Sequence, residues 1–276
     1  MQSGAVVDKT AADRTAESLL RGLDSISLEL TGKCNLSCVH CYALSSPQEP
    51  LHDRMTFDDW IRMLREAAAL GCGTVRLIGG EPTVHPRLAE LMVAAKELGF
   101  GNIFLYTNGT HLFEQLRQTM VECGVGLAFS LYAANPEVHD AITLVRGSFA
   151  RTMDSIRWTI HAKLKIQVSI TRIADRAEVE AAAALVRKMG VSVVSFDRVR
   201  RIGRGGGCSP RENVKELCGN CWRGKLCVSS NGIIYPCVFS RFLPVGSAAE
   251  GIKAALAGSA LRSFREEVYA MTERIT

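Results

Sequence analysis

The sequence predicts an α/β fold: an open, parallel (β/α)6 partial barrel followed by a short cysteine-rich C-terminal extension. Three observations carry this prediction. Strand-like runs alternate six times with segments whose apolar residues recur at helical spacing. The connections are short and bear glycine, which favours parallel strands joined by right-handed crossovers. Six units fall short of the eight that close a barrel, so the sheet is expected to stay open and curved.

Residues 1–24 read as a polar lead-in with helical character around 16–23, and strands are expected at 25–31, 74–78, 102–107, 126–132, 165–171 and 192–199. The segment 56–70 illustrates the helices. Thr56 and Asp59 resemble a reciprocal N-terminal cap, and Phe57, Trp60, Ile61, Leu64 and Ala68 form one apolar stripe that ends at Gly71. Segments 86–98 and 178–189 stop in the same way at Gly99 and Gly190. The rhythm ends near Gly203, so residues 25–203 are expected to form the barrel and 204–276 the extension. Within the extension, 226–230 and 233–235 flank Asn231 and Gly232, a hairpin signal. A last amphipathic helix is expected over about 251–269, and no internal repeat or low-complexity tract interrupts the chain.

At 276 residues and 47% hydrophobic content, the chain can bury one full-sized core. A net charge of +5, from 33 basic and 28 acidic residues, implies neither nucleic acid nor an anionic membrane as a partner. The N-terminus is charged and no apolar run has bilayer-spanning length, which leads to the expectation of a cytoplasmic protein. In a reducing compartment, ten cysteines point to metal ligands or catalytic groups rather than disulfides.

Cys34, Cys38 and Cys41 follow the first strand with the spacing CxxxCxxC. Three thiols on one loop can converge on a small inorganic cluster, and thiolates suit both iron–sulfur clusters and zinc. A structural zinc site closes with four protein ligands, which His40 could complete, whereas three cysteines leave one iron of a four-iron cluster open. Gly79 and Gly80 end the second strand and allow close backbone approach, with Glu81 beside them as an acceptor for an ammonium group. Arg146 could pair with a carboxylate or stand exposed at a helix start.

The cysteine spacing resembles the signature of the radical S-adenosylmethionine (radical SAM) superfamily. Further matches follow in the family's order over about 170 residues. The aromatic-type position before the third cysteine is His40, which the resemblance places near the adenine. Gly79, Gly80, Glu81 and Pro82 match the segment that holds the methionine amino group. Asn108, within Thr107–Gly109, and Ser130 fall where the family makes cofactor contacts, and residues 139–149 match the connection after the fourth strand. The resemblance implies a partial TIM barrel, a 4Fe-4S cluster on Cys34, Cys38 and Cys41, and S-adenosyl-L-methionine bound at its open iron. Reductive cleavage of that cofactor would give a 5′-deoxyadenosyl radical that abstracts a substrate hydrogen.

Cys218, Cys221, Cys227 and Cys237 form a second group around the predicted hairpin, and four thiols can ligate a cluster or a zinc ion. The pattern resembles the SPASM/Twitch extension of the same superfamily in its one-cluster form, which implies an auxiliary 4Fe-4S cluster. A two-residue turn at Asn231 and Gly232 would pair Cys227 with Pro236, one position from Cys237, so a bulge or wider loop is required if both are ligands. Cys208 is a replacement candidate, while Cys72 and Cys123 read as small buried hydrophobes. Arg198, Arg200, Arg201, Arg204 and Arg211 form a basic run. It reads as an RNA- or phosphate-binding patch or as a strand end beside a cluster, and the absence of interleaved aromatics favours the latter.

The resemblance implies a maturase acting on a ribosomally made precursor peptide, giving a cross-link, thioether or epimerised residue, with an electron donor such as flavodoxin or ferredoxin. Two rivals stand beside it: a radical dehydrogenase of a small molecule such as an aminocyclitol alcohol, and a non-catalytic zinc-binding protein. No side chain is assigned a catalytic role.

Overall fold

A computed structural model describes Leu20 and residues 22–48, 53–206 and 213–273. Most of the expected lead-in helix, together with Cys208 and Arg211, lies outside the described residues. The alternation holds in order: β1 (Ser25–Glu29), α1 (Phe57–Ala69), β2 (Thr74–Ile78), α2 (Leu88–Glu97), β3 (Asn102–Thr107), α3 (Glu114–Cys123) and β4 (Gly126–Leu131). Two helices, α4 (Pro136–Thr143) and α5 (Ser148–His161), then precede β5 (Ile166–Arg172), α6 (Arg176–Lys188) and β6 (Val193–Arg198). The extension adds β7 (Lys225–Val228), β8 (Ile233–Tyr235), β9 (Gly246–Ser247), α7 (Ile252–Ala257) and α8 (Ser259–Glu273).

One sheet contains all nine strands, in the order β6-β5-β4-β3-β2-β1-β7-β8-β9. Strands β1 to β6 are parallel, as the glycine-bearing crossovers predict. Register fixes the two faces. Leu28 pairs with Leu77, and these residues pack with Ile26, Val75, Leu105 and Leu127 against Trp60, Leu64, Leu91 and Met120 of the helices. The alternate positions turn the other way, so Ser27, Arg76, Tyr106, Ser130, Ser169 and Asp197 line the inner, concave side. Helix α1 begins with the reciprocal cap: the Asp59 amide donates to Thr56 Oγ1 (3.2 Å) and the Thr56 amide to Asp59 Oδ2 (2.9 Å).

The extension does not continue from β6. It crosses to the opposite edge, where β7 pairs in parallel with β1, Cys227 beside Ser27 and Val228 beside Leu28. Leu226 and Val228 thereby complete the core. Buried Arg265 of α8 staples this edge by donating to the carbonyls of Leu20, Gly22 and Lys225. The hairpin forms with a wider loop than two residues: Gly232 N bonds Ser229 O (2.8 Å), Ser229 N bonds Ile233 O (3.0 Å), and Gly232 takes the left-handed conformation (φ 84°). Cys227 consequently faces Tyr235. The expected single C-terminal helix is split, because Gly258 adopts an extended conformation (ψ 138°) between α7 and α8. No helix among the described residues is long and apolar enough to cross a membrane.

Candidate active site

The first cysteines sit on the loop that leaves β1, which has no repetitive structure and is held from three sides. From β2, Gly80 N bonds Thr31 O and Glu81 N bonds Lys33 O, both at 2.8 Å. Side chains are excluded there: a Cβ on Gly79 would lie 2.7 Å from Thr31 O, and one on Gly80 2.2 Å from Lys33 O. From α4, the carbonyls of Thr143 and Ile142 accept from Ser37 N and Val39 N. From the segment after β6, the Arg204 guanidinium donates to the carbonyls of Cys38 (2.8 Å), Leu44 (2.9 Å) and Ser45 (2.6 Å). Gly203 is the matching close approach, since a Cβ there would stand 2.4 Å from Cys41 O.

Glu81 organises the strand ends. Its Oε1 accepts from Thr83 N, Thr83 Oγ1 and Thr107 Oγ1, and its Oε2 from Asn108 N (2.7 Å). Burial raises its pKa, and these hydrogen bonds oppose that rise. Asn108 Nδ2 donates to Asn35 Oδ1 (2.8 Å), tying the end of β3 to the cysteine loop. Burial, then Glu81, pushes the Cys34 thiol up to about 12, and burial pushes Cys38 up to about 11. His40 packs edge-on against Tyr132 at 4.8 Å between centroids, and Tyr132 continues the contact to His139 at 5.3 Å. Burial, reinforced by Arg204, lowers His40 to about 4, so its ring is neutral at pH 7.

In the second group, Cys221 Sγ and Cys237 Sγ are 3.2 Å apart. Cys221 also hydrogen-bonds Cys218, which lowers the Cys218 thiol to about 5. Cys227 stands apart, fully buried on β7 and packed with Ile78 and Tyr235. Beside it lies a buried ion pair, in which Arg241 donates to Glu29 Oε1, and Tyr42 OH approaches the same oxygen at 3.3 Å. Burial opposes the charge on Arg241, but the Glu29 carboxylate overrides it and keeps the guanidinium ionised.

A cavity of about 490 Å3 fills the concave side of the sheet. Its wall includes Cys34, Cys38, Cys41, His40, Gly79, Gly80, Glu81, Asn108 and Ser130, together with Cys218, Cys221 and Cys237. Two expected residues are not on that wall: Cys227, as described, and Arg146, which is exposed in the turn between α4 and α5. Sequence reasoning missed Thr83, and it included Thr107 and Asp140 in matched segments without their roles: Thr83 and Thr107 hold Glu81, and the Asp140 carboxylate accepts from Ser148 Oγ and Phe149 N at the start of α5. It also missed the role of Arg204. The basic run is largely committed internally: Arg198 pairs with Glu216, Arg200 with Asp197, and Arg204 with the cysteine loop.

The donor set fits a three-thiolate cluster with an organic ligand beside it. Three thiols reach the cavity from one pinned loop, a glycine cradle adjoins them, and His40 Nδ1 is buried with no partner among the described residues.

The Radical SAM superfamily model matches residues 28–186, more than half of the chain. The chain is 33% identical over 147 residues to the AdoMet-dependent heme synthase of Methanosarcina barkeri, covering 53% of this chain and 42% of that protein. It is 34% identical over 206 residues to the mycofactocin maturase MftC of Mycobacterium ulcerans, covering 71% of this chain and 53% of that one. The chain thus spans about half the length, or less, of these relatives. Among solved structures, Streptococcus suis SuiB bound to precursor peptide SuiA superposes with a TM-score of 0.69 at 14% identity, over 94% of this chain and 68% of that one. The chain belongs to the radical SAM superfamily, and membership implies a 4Fe-4S cluster and S-adenosylmethionine.

Proposed function

We propose that this radical SAM protein is a maturase that abstracts a hydrogen from a ribosomally made precursor peptide. The observation that carries the reading is a cavity whose wall holds three cysteines of each group. Relatives point the same way: MftC is named a maturase, and SuiB is described bound to a precursor peptide. Cys34, Cys38 and Cys41 would hold the 4Fe-4S cluster, with Gly79, Gly80, Glu81, Asn108, Ser130 and His40 forming the bed for S-adenosylmethionine. When bound, these cofactors supply the electron and the 5′-deoxyadenosyl radical.

The chain's own residues position and shield this chemistry. The Gly79–Gly80 backbone lies flat against the cysteine loop, so a ligand can approach without meeting a side chain. Neutral His40 and buried Tyr132 pack edge to face on one side of the cavity, where they would orient the ligand. Cys218, Cys221 and Cys237, with Cys227 as the fourth thiol, would hold the auxiliary 4Fe-4S cluster, which would accept an electron from the substrate radical or bind substrate. Residues 25–203 would act as the radical-generating unit and 204–276 as the auxiliary-cluster unit. A flavodoxin or ferredoxin would donate electrons in the cytoplasm, where reduced thiols and low-potential carriers coexist.

The test is anaerobic turnover of reconstituted protein with the peptide encoded beside its gene, read by mass spectrometry. A modified peptide formed together with 5′-deoxyadenosine is expected. Deoxyadenosine formation driven only by a small alcohol would replace the maturase with a dehydrogenase.

A further inference from the structure

Four cations line the cavity: Arg76, Arg198, Arg200 and Lys225. Two are committed to the protein. Arg198 donates to Glu216 (2.6 Å) and to the Lys215 carbonyl, while Arg200 donates to Asp197 and to the Glu216 carbonyl. The side chains of Arg76 and Lys225 make no hydrogen bond or ion pair among the described residues, although both are largely withdrawn from solvent. The two carboxylates on the wall are also engaged, Glu81 by four donors and Asp197 by Arg200. Lys225 faces the Cys218 thiolate, which leaves Arg76 as the cation on the wall without a counter-charge, a cost in a sheltered lumen that a bound anion offsets.

Register brings the two cations toward one place. Arg76 on β2 sits beside Ser27, and Lys225 on β7 sits beside Ser25, with β1 between them. Ser27, Arg76 and Lys225 line the concave side, and a lateral gap of about 10 Å with a two-residue stagger separates the two cations by roughly 12 Å, a span that two long side chains can close around one small anion. Between them, Ser25 Oγ is fully buried with no hydrogen-bond partner. Arg76 precedes Gly79 by three residues and Lys225 opens β7, so the pair lies deeper along the strands than the cysteine loop.

We infer that Arg76 and Lys225 form a carboxylate-binding subsite that anchors an acidic group of the substrate, either an Asp or Glu side chain or a chain-terminal carboxylate. This rests on the peptide reading above for the nature of the substrate, but not for the anion chemistry. The planar guanidinium of Arg76 suits a carboxylate bidentately, and Lys225 adds a point charge. Lys225 also acts electrostatically on Cys218, so Arg76 is the discriminating position.

The test uses anaerobic, cluster-loaded protein with S-adenosylmethionine and three probes, read by saturation-transfer NMR. N-acetylglutamate α-amide carries only the side-chain carboxylate, N-acetylglutamine only the terminal one, and N-acetylglutamine α-amide neither. At least one monoanion should bind tenfold or more tightly than the neutral probe, and which one does so identifies the source of the carboxylate. Arg76→Gln should abolish that preference and Arg76→Lys should restore part of it, with circular dichroism matching the parent. Equal binding of the neutral probe, no binding of either monoanion, or an unchanged preference in Arg76→Gln would each overturn the subsite. Anion binding without turnover of any peptide would instead sink the maturase reading and leave the subsite standing.

Discussion

At the residue scale, the proposed cofactor bed depends on what is missing as much as on what is present. Gly80→Ala would drive a methyl into the Lys33 carbonyl, which lies 2.2 Å from the ideal Cβ position and cannot rotate away as a side chain could. Such overpacking costs about 1–3 kcal/mol, and it would also displace Glu81. The expected outcome is a lower melting temperature and at least tenfold weaker S-adenosylmethionine binding in equilibrium dialysis. His139 carries a pH prediction. Burial, opposed by Asp140, lowers its pKa to about 4. The unfolded chain protonates this group near 6.5, so protons favour unfolding between those two values, and stability falls as pH drops from about 6.5 to about 4. The loss is about 3 kcal/mol at most. Urea titrations should show a shallower fall over that window in His139→Phe than in the parent. The places of the glycines, Glu81 and Asn108 on the cavity wall were legible in the sequence through the order of several short motifs at successive strand ends, each weak alone. The positioning roles of Thr83, Thr107 and Asp140 were not, because a threonine or aspartate that serves a neighbour looks like any surface polar residue until the chain folds.

At the element scale, the strands were legible almost to their ends, since short apolar, β-branched runs alternate with helical periodicity and are bounded by glycine. What local pattern could not give was partner choice across long separations. β7 joins β1 about 200 residues upstream in the chain, and that pairing depends on Leu226 and Val228 finding the core rather than on any local signal. The hairpin register is a related case: Asn231 and Gly232 announce a turn, but Gly232 closes a wider loop and sets Cys227 opposite Tyr235. Arg204 shows how distant elements cooperate, because three of its donors hold the cysteine loop from beyond β6. Arg204→Ala should leave the fold intact but loosen that loop, lowering cluster retention by about 10–100-fold, as losses of supporting hydrogen bonds around metal ligands do. Arg204→Lys should rescue little, since one ammonium cannot reproduce the fork. Iron release to a chelator under anaerobic conditions measures both.

At the scale of the whole molecule, one sheet brings two cysteine groups, nearly 200 residues apart in sequence, to the wall of one cavity. The sequence indicated both groups but not their shared chamber, because the crossing of the extension to the β1 edge is a tertiary event. Cys221→Ala with Cys237→Ala is expected to lower iron from about eight to about four per chain, by ligand count. It should also abolish modified product while sparing some uncoupled 5′-deoxyadenosine formation. Circular dichroism must match the parent, since losing a metal site can unfold its module. The central claim, that Cys34, Cys38 and Cys41 hold the cluster that drives reductive cleavage of S-adenosylmethionine, is tested most directly by 5′-deoxyadenosine yield from the folded triple variant Cys34→Ala, Cys38→Ala and Cys41→Ala under reducing, anaerobic conditions. The account predicts no 5′-deoxyadenosine above background, with the second group's iron retained; formation at the parent rate would contradict it.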